Sequence, residues 1–350
     1  MNWLLALLLI TLLPSASTAR SEADTSLIKA AEDGDAVQIQ RLIVHGADVN
    51  VLNNFGQTVL EWAAQHGNVA AVKLLLDAGA DVSKPSRFGG PLIAASGGGF
   101  GVKSIAICRL LLSHGADPNG YANNTPIISA LTGLSRSRNS IYHSFHSPRQ
   151  PQGRQKMFQE QTETTLAILR MLIQSGADVN HEYRLGPFHD PLTPLTAAAG
   201  AGSVEAMSLL IKSGAHTDPI YLNVALGPAA SSGSAPAVAM LLSHGADPNM
   251  RQYGYNHNST LLEAAGADAT ESMELLVKSG SNVNAQGADG MTALTLVMQR
   301  IKPDLAAIKF LLAHGANPNI ADKDGRTPLY RAKESKSAEL MTLLENAGAK

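Results

Sequence analysis

The sequence has very few cysteines and aromatic residues and almost no excess charge. A single cysteine, Cys108, excludes an intramolecular disulfide and a cysteine-based zinc cluster. There are 27 basic and 29 acidic residues, so the net charge is −2, which argues against a chain built mainly to bind nucleic acid. Charged residues make up 16% of the chain, against roughly 25% in average proteins, and apolar residues make up 45%. These values exclude a charge-rich disordered chain and a charged coiled coil.

Long apolar runs are also absent, apart from one at the start of the chain. The segment at 1–19 reads MNWLLALLLITLLPSASTA, and its apolar run at 3–13 is shorter than the roughly 20 residues that cross a bilayer. The small residues Ser17 and Ala19 precede Arg20 as they would a cleavage site. We therefore predict a signal peptide at 1–19 and an exported chain without a stable membrane span after cleavage. An uncleaved signal anchor is the alternative.

Most of the remaining chain repeats one pattern. A nine-residue string occurs as LIVHGADVN at 42–50 and as LLSHGADPN at 111–119 and 241–249. The glycines of this string are Gly46, Gly79, Gly115, Gly176, Gly214, Gly245, Gly280, Gly315 and Gly348. Their spacing is between 31 and 38 residues except for one interval of 61. A period near 33 residues indicates a repeat architecture.

Each repeat contains the signals of two helices. Apolar residues seven, four and three positions before the glycine form a helical stripe, and the glycine then ends that helix in the left-handed conformation. An upstream Thr-Pro-Leu, as at 193–195 and 327–329, predicts a second helix with threonine as its N-cap and proline at its first position.

These residues resemble the ankyrin repeat, with Gly-Ala-Asp-x-Asn after Leu-Leu and Thr-Pro-Leu upstream. The resemblance covers about 22–350 and implies an all-α repeat solenoid at 20–350, built from about nine repeats. Each repeat would have a β-hairpin finger, an inner helix and an outer helix. The resemblance also implies that finger tips and inner helices form the partner-binding face.

Two features depart from the repeat. The 61-residue interval contains a basic segment at 135–160, which we predict to be a loop inserted between two helices. It is either a tolerated mobile loop or an arm that binds an acidic protein, an anionic lipid or a wall polymer. The residues of this possible arm are Arg136, Arg138, Tyr142, Phe145, Arg149, Arg154 and Lys156. In addition, Pro228 is expected to shorten or kink the inner helix of repeat 6.

No catalytic, metal or cofactor motif is present in the sequence. Cys108 falls at a position that is apolar in other repeats, which favours a core residue over a nucleophile. Four histidines directly precede turn glycines, and we interpret them as residues at helix C-termini rather than metal ligands. We therefore predict neither an enzyme nor a bound cofactor.

The aromatic residues are concentrated in the predicted fingers. Eight of the 14 phenylalanines and tyrosines lie 6 to 12 residues after a turn glycine. Aromatic residues are enriched in binding hot spots, although these rings could instead pack only on adjacent fingers. The predicted protein-binding residues, including two polar neighbours, are Phe55, Gln57, Phe88, Tyr121, Tyr183, Phe188, Tyr221, Tyr253, Tyr255 and His257.

Together these features predict a monomeric, non-enzymatic scaffold that binds a protein partner and no nucleic acid. Similar exported ankyrin-repeat proteins are typical of the bacterial periplasm, which is therefore the predicted location. Holding or protecting an exported enzyme would be one role for it. The alternative is a secreted effector or toxin-like protein that acts on a host protein.

Overall fold

The fold was analysed in a computed structural model. It describes residues 16–84, 86, 88–97, 99–120, 125–143, 151–183, 191–250, 258–300 and 302–350. Side chains are described over these ranges except at 16–21, 137–143 and 151–155. Most of the predicted signal peptide, at 1–15, lies outside the described residues.

The chain divides into two compact units, Met1–Asp178 and Val179–Lys350. The described helices of the first unit are α1 (Ala16–Asp33), α2 (Ala36–Val44), α3 (Val59–Gln65), α4 (Val69–Asp77), α5 (Pro91–Ser96), α6 (Val102–Ser113), α7 (Pro126–His143) and α8 (Pro151–Gln174). The first helix of each successive pair is the inner helix and the second is the outer helix. Inner helices pack on the next inner helix, and outer helices on the next outer helix, so this unit contains two helical layers.

The second unit has the same arrangement with five helix pairs. Its described helices are α9 (Pro194–Gly200), α10 (Val204–Lys212), α11 (Pro219–Ser231), α12 (Ala235–Ser243), α13 (Thr260–Gly266), α14 (Thr270–Lys278), α15 (Ala293–Met298), α16 (Leu305–Ala313), α17 (Pro328–Glu334) and α18 (Ala338–Asn346). Nine helix pairs in the described residues confirm an all-α repeat fold.

The predicted helix caps are present. The hydroxyls of Thr58, Thr193 and Thr327 accept the N–H three residues later, at 3.1 to 3.2 Å. Each such cap stabilises a helix by about 1 kcal/mol. All nine turn glycines have a positive φ, between +83° and +98°, which explains why glycine recurs there.

Hydrogen bonds from the Gly-Ala-Asp-x-Asn motif join neighbouring repeats. The side chain of Asn249 accepts the N–H of Asn282 at 2.7 Å and donates to the carbonyl of Gly280 at 2.9 Å. Asn284 and Asn319 make the same pair of bonds to the repeats that follow them. In repeat 2, Ser83 holds this position and its hydroxyl donates to Asp81 instead.

The core consists of the apolar positions that the repeat predicts. Leucine four residues before the glycine is fully buried in eight of nine repeats, with Leu42 half-buried. Cys108 is fully buried in the same layer, and burial raises its thiol pKa to about 11. This confirms its assignment to the core, because a thiol that stays protonated is a poor nucleophile.

The predicted fingers are short turns rather than strands. Within the described residues, extended segments pair only as two isolated antiparallel bridges, Leu52–Thr58 and Tyr183–Leu192.

The prediction of a loop at 135–160 was wrong for most of that segment. Helix α7 continues to His143 and helix α8 begins at Pro151, so the insertion lengthens both helices of repeat 4. The two helices pack on each other. The segment has four arginines and four glutamines, which fit a solvated helix as well as a loop, and polar composition alone therefore misled the prediction.

Pro228 does not shorten its helix, contrary to expectation. Helix α11 runs continuously over 13 residues, beyond the six or seven of most inner helices. A β-carbon placed on Gly200 of α9 would lie 3.5 Å from the Pro228 Cβ. Pro228 thus faces Gly200 of the neighbouring inner helix without a clash.

Candidate protein-binding surface

The finger of repeat 2 is held by its own side chains. The Asn53 side-chain oxygen accepts the N–H groups of Phe55 and Gln57 at 2.9 and 3.0 Å. The N–H of Asn53 donates to the Gln57 carbonyl at 2.8 Å, and Gly56 has a φ of +78°. This turn places Phe55 at the tip, where 63% of its surface is exposed.

The Phe55 ring is the first of three rings in contact, and the other two lie on the inner helix or at its end. It stacks on Trp62 of α3, with ring centroids 6.0 Å apart and an interplanar angle of 16°. Trp62 in turn contacts the His66 ring at 4.5 Å, and the His66 Nδ1 donates to the Trp62 carbonyl at 2.8 Å. An exposed ring with a fixed neighbour loses little rotational freedom on binding, which favours a hot spot.

The next finger presents a second exposed ring. Phe88 lies just before α5 and is 51% exposed. Its N–H donates to the Ser86 hydroxyl at 3.0 Å. Adjacent repeats of the first unit therefore each offer a phenylalanine, and we define Phe55, Trp62 and Phe88 as the aromatic surface.

Gln57 is not a surface residue, which corrects its predicted role. Only 4% of it is exposed, and its side-chain nitrogen donates to the Gln65 oxygen at 2.8 Å and to a Glu61 oxygen at 3.5 Å. Burial raises the pKa of the Glu61 carboxyl, and hydrogen bonds including that from Gln57 oppose the rise. Gln57 supports the finger from below and contacts no partner from this position.

Tyr221 is not a finger residue, which corrects a second prediction. Repeat 6 goes from Gly214 to Asp218 and directly into α11, so Tyr221 lies in the first turn of a helix. Its hydroxyl donates to Glu182 at 2.5 Å, and its ring stacks on His216 at 5.0 Å and 22°. Tyr183 is half-buried and bridges Leu192. In the second unit these two tyrosines thus make contacts within the fold.

The remaining predicted binding residues are described only in part. Those outside the described residues are Tyr121, Phe188, Tyr253, Tyr255, His257, Phe145 and Arg149. The structure describes the helical backbone of Arg138, Tyr142 and Arg154 but not their side chains. Arg136 and Lys156 are described and exposed.

Trp62 was absent from the predicted surface. It stands four residues after the N-cap Thr58, where repeats 4 and 5 carry Ser129 and Ala197. The corresponding positions of other repeats hold residues as different as Ala94, Glu263 and Arg331 but no aromatic residue, so Trp62 is a signal that the sequence does contain. Trp62 belongs to the inner helix, whereas the predicted surface contained only residues of the finger segments.

The recurring histidines cap helices, as predicted. The Nδ1 atoms of His45, His114, His244 and His314 each donate to the carbonyl four residues earlier, at 2.6 to 2.8 Å. Among the described residues, no three His, Cys, Asp or Glu side chains lie together as metal ligands would. The part of the chain that the structure describes also has no helix with the length and apolarity of a membrane span.

Comparison with known proteins gives one family. Residues 4–86, 161–252 and 261–350 match the family described as Ankyrin repeats (3 copies). The chain is 28% identical over 267 residues to the Caenorhabditis elegans ankyrin repeat and KH domain-containing protein mask-1, covering 73% of this chain and 9% of that protein. It is 30% identical over 156 residues to the human transient receptor potential cation channel subfamily A member 1, covering 43% of this chain and 14% of the channel.

The chain thus spans only a small part of the length of these relatives. The ankyrin repeat domain of human ASB11 is a similar solved structure, with 20% identity and a TM-score of 0.44 over 83% of this chain and 98% of that domain. The family match extends over most of the sequence and over helix pairs of both units. The chain belongs to the ankyrin repeat family, whose repeats are generally protein–protein interaction modules.

Proposed function

We propose that this protein is a non-catalytic scaffold that binds a protein partner through the aromatic surface of repeats 2 and 3. The observation that carries the proposal is the pair of exposed phenylalanines on adjacent fingers, Phe55 and Phe88. Large apolar rings left in water on fixed turns gain free energy when a partner covers them.

The surroundings of these rings support binding rather than further internal packing. Phe55 already contacts Trp62 on one side and keeps most of its surface exposed. The turn that carries it is fixed by Asn53, and Gln57 and Glu61 fill the space beneath it. A partner would therefore meet a surface that needs little rearrangement on binding.

A pull-down from an extract of exported proteins tests this function. We expect Phe55→Ala combined with Phe88→Ala to lower partner capture by at least about 30-fold, as hot-spot truncations of about 2 kcal/mol do. The matched control is Phe100→Ala, an exposed ring in the same unit that lies between α5 and α6 rather than in a finger. Undiminished capture by the double variant, with its melting temperature unchanged, would overturn the proposal.

We also propose that the scaffold acts after export, most simply in a bacterial periplasm, where it would hold or protect an exported protein. The support is the uncharged apolar start of the chain, followed by small residues up to Ala19. N-terminal sequencing of the exported protein should begin at Arg20. A membrane-associated protein that retains Met1 would overturn cleavage and favour the uncleaved anchor.

A further inference from the structure

The two helices of repeat 4 extend far beyond the core of their repeat. Helix α7 has 18 residues and α8 has 24, whereas the helices of repeat 2 have seven and nine. Leu134 is the last fully buried residue described in α7, and Thr164 is the first buried residue described in α8. At 1.5 Å per residue, the extension of α7 past Leu134 adds about 14 Å. We define residues 135–143 and 151–160 as the basic hairpin.

The basic hairpin has a charge opposite to that of the rest of the chain. It carries four basic residues, Arg136, Arg138, Arg154 and Lys156, and one acidic residue, Glu160. The rest of the chain has 23 basic and 28 acidic residues. The protein therefore concentrates positive charge on an extension of an acidic body, and such a segment attracts an anionic partner.

The two basic side chains that the structure describes in the basic hairpin are available for binding. Arg136 is exposed, and Lys156 lies 3.8 Å from Glu160 in a pair whose side chains are both well exposed to water. An exposed ion pair of this kind contributes little to stability, so Lys156 can readily bind another anion in place of Glu160. No acidic residue other than Glu160 lies in the basic hairpin to neutralise the remaining basic residues.

Apolar side chains accompany the charges. Met157 directly follows Lys156 and is 68% exposed. The sequence adds Ile141, Tyr142 and Phe158 to the same helical segments. Basic residues mixed with exposed apolar residues are typical of segments that lie at a membrane surface, where cations meet phosphates and apolar groups enter the headgroup layer.

We infer that the basic hairpin binds an anionic phospholipid surface. A bilayer fits better than an acidic protein because the described cations are exposed on helices, and a fluid flat surface needs no pocket of matching shape. Each basic residue near an anionic bilayer strengthens binding about fivefold. This inference goes beyond the proposed function, because the basic hairpin lies at the C-terminal end of the inner helix of repeat 4. The two phenylalanines of the aromatic surface instead precede the N-terminal ends of the inner helices of repeats 2 and 3.

The test is co-sedimentation of the full chain with vesicles. One set contains phosphatidylcholine with about 30 mol% phosphatidylglycerol, and the other contains phosphatidylcholine alone. Residues 1–19 contain no charged side chain, and the one cation there, the Met1 amino group, is retained in every charge variant. We expect binding that depends on phosphatidylglycerol and weakens with added salt.

Charge variants distinguish binding through the basic hairpin from attraction by basic residues anywhere on the protein. Arg136→Gln, Arg138→Gln, Arg154→Gln and Lys156→Gln together should lower binding to the anionic vesicles at least about 100-fold. The matched control changes four exposed lysines elsewhere to glutamine, namely Lys73, Lys302, Lys309 and Lys323, and should keep most of the binding. Met157→Ser should weaken binding severalfold with the charges intact.

Three results would overturn the inference. They are equal binding to both vesicle sets, an equal loss in the control variant, and binding to soluble polyglutamate without binding to anionic vesicles. The last result would identify an acidic protein as the partner instead. Far-UV circular dichroism of both quadruple variants, compared with the unmodified chain, verifies that the helices remain folded.

Discussion

Phe55 and Tyr221 occupy similar places in the sequence but have different surroundings. Phe55 follows its turn glycine, Gly46, by nine residues, and Tyr221 follows Gly214 by seven. Phe55 stands on a tight turn and is mostly exposed, whereas Tyr221 lies in a helix and hydrogen-bonds Glu182. Distance from the glycine therefore does not decide whether a ring is offered to a partner.

The local turn decides it instead. In repeat 2, Asn53 and Gly56 close a turn that carries Phe55 outward. In repeat 6, Asp218 and Pro219 start a helix where other repeats have a finger, because proline is favoured at the first position of a helix. One ring therefore serves binding in our proposal, and the other serves stability.

The largest effect on stability is expected at Tyr221. Tyr221→Ala removes the bond to Glu182 and the stacking on His216, and should lower the free energy of unfolding by about 2 kcal/mol. Phe55→Ala should cost at most about 1 kcal/mol, because its ring is mostly in water already. Urea unfolding of both variants, with Tyr221→Phe as the control for the hydroxyl alone, measures the difference. Equal costs would show that the two rings do not differ as described.

A smaller effect is expected from loosening the turn beneath Phe55. Asn53→Ala removes the acceptor of the Phe55 and Gln57 N–H groups, and should cost about 1 kcal/mol of local stability. Hydrogen exchange of the Phe55 amide should become about fivefold faster. Asn54→Ala changes the exposed neighbour and serves as the control. If both variants exchange alike, the Asn53 side chain does not hold the finger.

The smallest effect concerns pH. The carboxyl of Glu61 has a pKa above its ordinary value of 4.5, chiefly because it is buried. The folded state thus binds this proton more tightly than the unfolded state, so the charged form is destabilising at neutral pH and the penalty is lost as the pH falls through the folded pKa. Glu61→Gln should raise the melting temperature relative to the unmodified protein at pH 7, and less so at pH 5. A variant that is less stable at pH 7 would show that the hydrogen bonds of Glu61 outweigh its burial.

The sequence was sufficient to predict the repeat, its caps and its core. The glycines, the threonine caps and the leucines act over a few residues, so their roles follow from local geometry. The recurring histidines were predictable for the same reason, since each caps its own helix.

The binding surface was less predictable, because it depends on contacts between segments. The burial of Gln57 follows from its bonds to Gln65 and Glu61 of α3, and the place of Trp62 follows from stacking across the turn. The helical extensions at 135–143 and 151–160 were missed because composition does not distinguish a solvated helix from a loop. Two of the predicted rings, Phe55 and Phe88, do stand exposed on fingers.

Photo-crosslinking at the finger tip tests the central claim most directly. A photoreactive phenylalanine analogue at position 55 or 88 should crosslink a protein partner on illumination in an extract of exported proteins. The same analogue at position 100 or 330, where exposed rings lie outside the finger segments, should not. Crosslinks at positions 100 and 330 but none at 55 or 88 would contradict the assignment of the aromatic surface as the binding site.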